Sequence, residues 1–180
     1  MPPAKTPDYA KGKWADAFAP RKRGERRYWL VKSEPDVFSF DDLWNAPDRT
    51  TCWDGVRNHA ARNFLRDGMK LGDHVLYYHS MADPQAIVGI CEVVREGYPD
   101  HTALDPASDD PDPDATLDDP RWYMVDVRAV ERLPRPVTLA EIKRRPDLAE
   151  MALVRVSRLS VIPVTPGEWE TIRAMARACS

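Results

Sequence analysis

The chain has 180 residues, of which 43% are hydrophobic and 31% charged, and its net charge is -3. A single soluble domain fits that length and composition. No apolar run approaches the roughly 20 residues of a membrane-spanning helix, and the amino end has no apolar core of a secretion signal.

Residues 1–26 combine scattered prolines with the basic run Arg21-Lys22-Arg23 and have weak apolar periodicity. They read as a flexible basic tail, able to add phosphate contacts or merely solvated. The domain proper is expected over residues 27–178. It opens on a strand, Tyr28-Trp29-Leu30-Val31-Lys32-Ser33, stopped by Pro35. Ser39 and Asp42 predict a capped short helix, and Thr50 to Trp53 a second strand. Val56 to Asp67 reads as a helix with Ala60, Ala61, Phe64 and Leu65 on its apolar face and Gly68 as its stop.

Asp73 to Ser80 and Ala86 to Val94 predict a hairpin turning at Met81-Ala82-Asp83-Pro84. Gly89 inside the second of these strands predicts a bulge or a close approach. Residues 100–120 are rich in Asp and Pro and read as a mobile surface loop. A long strand is expected from Arg121 to Leu133, and a short helix from Thr138 with Glu141 completing its cap. Strand material follows at Arg155 to Val164, then a last helix with Thr165 as cap and Pro166 at its first position. The order predicts an α+β fold, a curled β-barrel of five to six strands with peripheral short helices.

Charge is unevenly spread. Residues 1–27 carry eight Lys or Arg against three acids, and residues 100–119 carry eight Asp and no Lys or Arg. The body between is nearly neutral, which argues against sequence-blind duplex binding through many phosphates. Cys52, Cys91 and Cys179 are odd in number and lack metal spacing. Reduced thiols are expected, with no metal and no cofactor. The sequence contains no phosphate-binding glycine loop, no HExxH, no CxxC and no zinc-deaminase signature.

Several ordered blocks resemble one family. They are Trp29-Leu30-Val31-Lys32-Ser33-Glu34-Pro35, Trp53-Asp54-Gly55-Val56-Arg57-Asn58, Ala61-Arg62-Asn63-Phe64-Leu65, Gly72-Asp73, Tyr78-His79-Ser80, Val88-Gly89-Ile90 with Glu92-Val93, Tyr98-Pro99-Asp100, Pro136-Val137-Thr138-Leu139, Ser157-Arg158-Leu159-Ser160-Val161 and Pro163-Val164. Over about residues 28–175 the sequence resembles the EVE domain, found in the thymocyte nuclear protein family and in bacterial relatives. The resemblance implies a PUA-like barrel and distant kinship with the YTH readers of methylated adenine. It also implies a non-enzymatic module that binds a modified base of DNA or RNA, of the modified-cytosine or methylated-adenine class, in an aromatic pocket. The partner would be single-stranded or carry a flipped base, and no membrane partner is expected. The place would be the cytoplasm, or the nucleus of a eukaryote. Residues 105–119 look longer than the corresponding family loop.

In that wider group a Lys-Ser pair closes the first strand and a Trp ending the next strand walls the base cage; here these are Lys32, Ser33 and Trp53. Stacking on an aromatic face contributes about 1–3 kcal/mol per base. Choice among bases needs hydrogen bonds to the base edge. Ser33, Glu34, Asp54 and Asn58 offer them, and Glu34 or Asp54 could accept from an exocyclic amine. Each has a plainer role in competition: Trp53 as core, Asp54 as helix cap, Ser33 bonded to its own turn. Lys32, Arg57 and Arg62 are the candidates for flanking phosphates, against surface pairing of the arginines with Asp54 or Asp67. Tyr78, His79 and Ser80 are read as pocket lining, and Tyr98 as a second aromatic wall, with barrel packing the alternative for the strand residues. Two rival readings are a nucleoside-processing hydrolase at His79 and Ser80 with Asp54, and a protein-interaction module using the acidic loop.

Overall fold

In the computed structural model, which describes residues 5–178, the first strand organises the rest. Strand β1 (Tyr28–Ser33) pairs in parallel with β3 (His74–His79), from Tyr28 opposite His74 to Ser33 opposite His79. On its other side β1 pairs antiparallel with β6 (Val161–Val164). Strand β3 continues through antiparallel pairing into β4 (Ala86–Pro99), β4 into β5 (Tyr123–Thr138), and β5 into the short β2 (Thr50–Cys52). The sheet order is β2-β5-β4-β3-β1-β6. The α+β class and the strand number agree with expectation. The barrel does not close: β2 and β6 are the two edges, and no ladder joins them.

Short helices decorate this sheet: α1 (Ala15–Phe18), α2 (Pro35–Phe38), α3 (Phe40–Trp44), α4 (His59–Asn63), α5 (Leu139–Lys143), α6 (Ala152–Arg155) and α7 (Pro166–Arg177). The caps foreseen at Ser39, Thr138 and Thr165 are present as reciprocal boxes with Asp42, Glu141 and Glu168. Trp29, Leu30, Val31, Leu76, Tyr77 and Ile87 are fully buried, and Trp169 and Ile172 of α7 close the core from one side. Gly89 is the close approach its position predicted. The Phe40 ring lies against its Cα where a Cβ would stand, and the β4–β5 register shifts beside it. No described helix is long and apolar enough to cross a membrane.

Four boundaries differ from the sequence reading, each for a physical reason. The helix expected from Val56 starts at His59, capped by Asn58, whose side chain accepts from the Ala61 N–H. Gly55 sits at φ 77°, which keeps the preceding turn non-helical. The helix then widens into a π turn over Phe64–Gly68. Strands β4 and β5 run longer than expected, so Tyr98 and Pro99 belong to β4. Residues 155–164 yield only a four-residue strand, because Ala152–Arg155 forms a helical turn.

The fourth difference is the amino-terminal segment. Its described part was expected to be a flexible tail, but it forms short turns and α1 against the body. Tyr9, Trp14 and Phe18 build an aromatic cluster on Phe64: Phe18 stacks on it at 5.6 Å and Trp14 meets it edge-on at 5.4 Å. Arg21 then donates to the buried carboxylate of Asp73 at 2.5 and 2.7 Å. Aromatic burial and this ion pair hold a segment whose polar composition concealed both.

Candidate base-binding site

A cavity of about 520 Å³ opens where the sheet fails to close. Thr51 and Cys52 line it from edge strand β2, and Ser160 from the residue preceding edge strand β6. Lys32 and Ser33 at the end of β1, Val37 and Phe38 of α2, and the segment Trp53-Asp54-Gly55-Val56-Arg57 complete the walls. Asp109 and Asp110 of the acidic loop form its rim. The open seam is the reason a cavity exists here: two edges that do not pair leave backbone and side chains facing a gap.

Trp53 supplies the aromatic wall. The ring is only 8% exposed and stands edge-on to Tyr77 at 5.4 Å, so it is anchored in the core while lining the cavity. The Trp53 backbone N–H donates to the Val125 carbonyl at 2.8 Å, extending the β2–β5 pairing by one residue. Ser33 donates its hydroxyl to the Phe38 carbonyl at 2.7 Å, which also accepts from the Tyr77 hydroxyl. The plainer role foreseen for Ser33 is therefore present, and the residue also lines the cavity. Lys32 donates to the Ser157 carbonyl at 2.8 Å, and burial lowers its pKa.

The Asp54 side chain at the mouth has few obligations. The helix cap is Asn58, and among the described residues the one side-chain hydrogen bond to the Asp54 carboxylate comes from the Cys52 thiol, at 3.9 Å. Burial raises the Asp54 pKa first, the Asp100 and Asp110 carboxylates push it further, and His101 opposes them. The Cys52 thiol is also raised, by burial first and then by Asp54, so it stays protonated and unreactive.

Arg57 and Arg62, the arginines expected to meet phosphate, both make internal hydrogen bonds. Arg57 donates to the Asp100 carboxylate at 2.9 Å, to the Thr102 hydroxyl at 3.0 Å and to the Asp110 carbonyl at 2.7 and 3.1 Å. Asp100 is fully buried and also accepts from the Gly55 N–H at 2.8 Å. This pair ties the acidic loop to the turn that carries Trp53. Arg62 donates to the Arg121 carbonyl and to Asn63, away from the cavity.

The other expected lining residues are also placed elsewhere. Tyr78 is buried and donates to Gln85. His79 Nε2 accepts from the Phe40 N–H at 3.1 Å, and burial lowers its pKa. The Ser80 N–H donates to the Ser33 carbonyl. Tyr98 donates to Asp126 at 2.5 Å and carries the Arg95 guanidinium on its face at 3.5 Å. Glu34 is exposed at the start of α2 and lines nothing. In their stead the cavity uses Val37, Phe38, Thr51, Cys52 and Ser160. Only Ser160 lay in a quoted sequence block whose pattern marked it.

A model of the EVE domain family matches residues 27–175. The chain belongs to the EVE domain family. Thymocyte nuclear protein 1 of Mus musculus is 42% identical over 165 residues, which cover 82% of this chain and 73% of that protein. The structure of human THYN1 protein in complex with DNA containing 5-methylcytosine superposes with a TM-score of 0.83 at 39% identity, covering 86% of this chain and 99% of that one. A hypothetical protein from Leishmania major superposes with a TM-score of 0.81 at 47% identity, covering 86% and 97%. The open six-stranded sheet is thus the fold of the EVE family, and the Trp53 turn and Lys32-Ser33 belong to the matched part.

Proposed function

We infer that this EVE domain is a non-enzymatic reader of a modified cytosine in nucleic acid. The observation that carries the reading is the anchored Trp53 ring at the open seam with the underemployed Asp54 carboxylate beside it. A base stacks on the indole, and Asp54 accepts from the exocyclic amine that distinguishes cytosine. The thymine edge has no such donor and would leave the carboxylate unpaired. The relative solved with DNA containing 5-methylcytosine supports the same ligand class. Such a cavity receives a base only when it is single-stranded or flipped out of the stack.

The absence of turnover is part of the proposal. His79 spends its ring nitrogen on a backbone N–H, and burial first, then the Asp54 carboxylate, raises the Cys52 thiol pKa. Neither is an activated nucleophile.

The test is tryptophan fluorescence against short single-stranded oligonucleotides, each carrying one plain or one modified base, in wild type and in Trp53→Ala. Quenching by 5-methylcytosine that disappears in Trp53→Ala is expected. A flat response across the panel overturns the reading. Because the Asp54 pKa is raised, affinity for the cytosine oligonucleotide should fall as pH drops through that raised value, and Asp54→Asn should abolish this dependence.

A further inference from the structure

Arg62 is bonded away from the cavity, and the two cations that line it, Lys32 and Arg57, are already bonded, Lys32 to a carbonyl and Arg57 to Asp100. A nucleic-acid strand delivering a base to it still carries a phosphate on each side. We propose that Arg49 and Arg158, one beside each open edge of the sheet, take the backbone phosphates flanking the bound base. The proposal rests on the reader assignment above and adds its phosphate contacts.

Arg49 lies two residues before Thr51, and Arg158 two residues before Ser160; both of those residues line the cavity. Two residues of chain span at most roughly 7 Å. Both arginines are exposed. The neighbouring Arg128, Arg132 and Arg155 are paired with Glu92, Asp41 and Glu150. Arg49 and Arg158 form no ion pair and no side-chain hydrogen bond among the described residues.

Each is also held in place. The Arg49 guanidinium lies 3.7 Å from the centre of the Trp44 ring, whose surroundings also include Arg132 at 4.8 Å. Asp48 and Arg49 adopt φ of 53° and 52°, a left-handed conformation uncommon in two successive non-glycine residues. Such a backbone at the entrance to β2 fits a side chain presented for binding. Arg158 lies between Ser157, whose carbonyl holds Lys32, and Leu159, which is buried. The chain on both sides is thereby fixed while the guanidinium stays in solvent. A planar guanidinium matches a phosphodiester with two parallel hydrogen bonds. The basic cluster at residues 21–27 enters β1 at the end away from the cavity, so it is the natural control.

The experiment measures affinity for one single-stranded oligonucleotide with a central 5-methylcytosine, and for its plain counterpart, between 50 and 300 mM salt. Arg49→Gln and Arg158→Gln should each weaken binding at low salt roughly 3- to 10-fold, by equal factors for both oligonucleotides. Each should lower the slope of log affinity against log salt by about 0.7, and the double variant by about 1.4. Arg49→Lys should restore most of the slope, which a purely structural role on Trp44 would not predict. Lys22→Gln should leave the slope unchanged. An unchanged slope in the double variant, with binding still lost in Trp53→Ala, overturns the phosphate assignment alone. Failure of wild type to bind either oligonucleotide overturns the reader assignment, and this proposal with it.

Discussion

Two irregular segments flank the sheet, and each is fastened by one arginine and one fully buried carboxylate. At the amino end Arg21 meets Asp73, which also accepts from Trp29 Nε1 and from the N–H groups of Arg27 and Lys70. At the cavity Arg57 meets Asp100 of the acidic loop. The first clasp is backed by Tyr9, Trp14 and Phe18 packed on Phe64. The second is backed by hydrogen bonds, such as Trp122 to Asp112 and Ser108 to Thr102, while Asp109 and Asp110 stay exposed. Aromatic burial makes the first segment an extension of the core. The second is pinned by polar contacts, whose net contribution is small and whose strength follows pH and salt. The molecule thus places its firmer clasp away from the cavity and its adjustable one at the rim.

The largest effect that would test this contrast is Asp73→Ala. It strands the Trp29 N–H and a partly buried guanidinium, and it should cost about 3–5 kcal/mol in urea unfolding. A loss under about 1 kcal/mol would mean that the aromatic cluster alone holds the amino-terminal segment. Asp100→Asn should cost less, about 1–3 kcal/mol, because the loop it frees carries little apolar surface. Its signature should be local: faster proteolysis within 105–119 and a changed Trp53 environment, with the amino-terminal segment as protected as before.

Phe18→Ala comes next, at about 1–2 kcal/mol for a half-buried ring. It should expose the segment before α1 to protease and leave the loop untouched. Equal loosening of both segments would contradict the view that they are independent.

Acid should separate them most gently. Burial raises the Asp100 pKa, but hydrogen bonds from Thr102, Arg57 and the Gly55 and Thr102 N–H groups outweigh it, so the carboxyl stays below its ordinary value. The stability it contributes is fully present above the ordinary carboxylate pKa. It is lost as pH falls through the lower folded value. Cleavage within 105–119 should therefore rise in acid. The rings of Trp14, Phe18 and Phe64 do not titrate, and hydrogen exchange behind them should hold to lower pH.

Local signals were legible residue by residue. Ser39, Thr138 and Thr165 announced their helices, because a cap and its partner lie three residues apart and need no distant chain. Gly89 announced a close approach, because a missing Cβ is a property of one position. The matched blocks carried the EVE resemblance, and with it Trp53, Lys32 and Ser33. Which polar groups were already committed was decided only in three dimensions. Arg57 looked like a free cation until Asp100, 43 residues away, took its guanidinium. Tyr9, Trp14 and Phe18 looked like solvated tail until Phe64 gave them a surface. The barrel stayed open because edge pairing between β2 and β6 depends on the curl of the whole sheet, which no short window encodes. Sequence by itself determined the elements and the chemistry available to them; tertiary structure decided which groups were consumed internally and which remained for a ligand, because burial and hydrogen bonding are settled between residues that meet only in the fold.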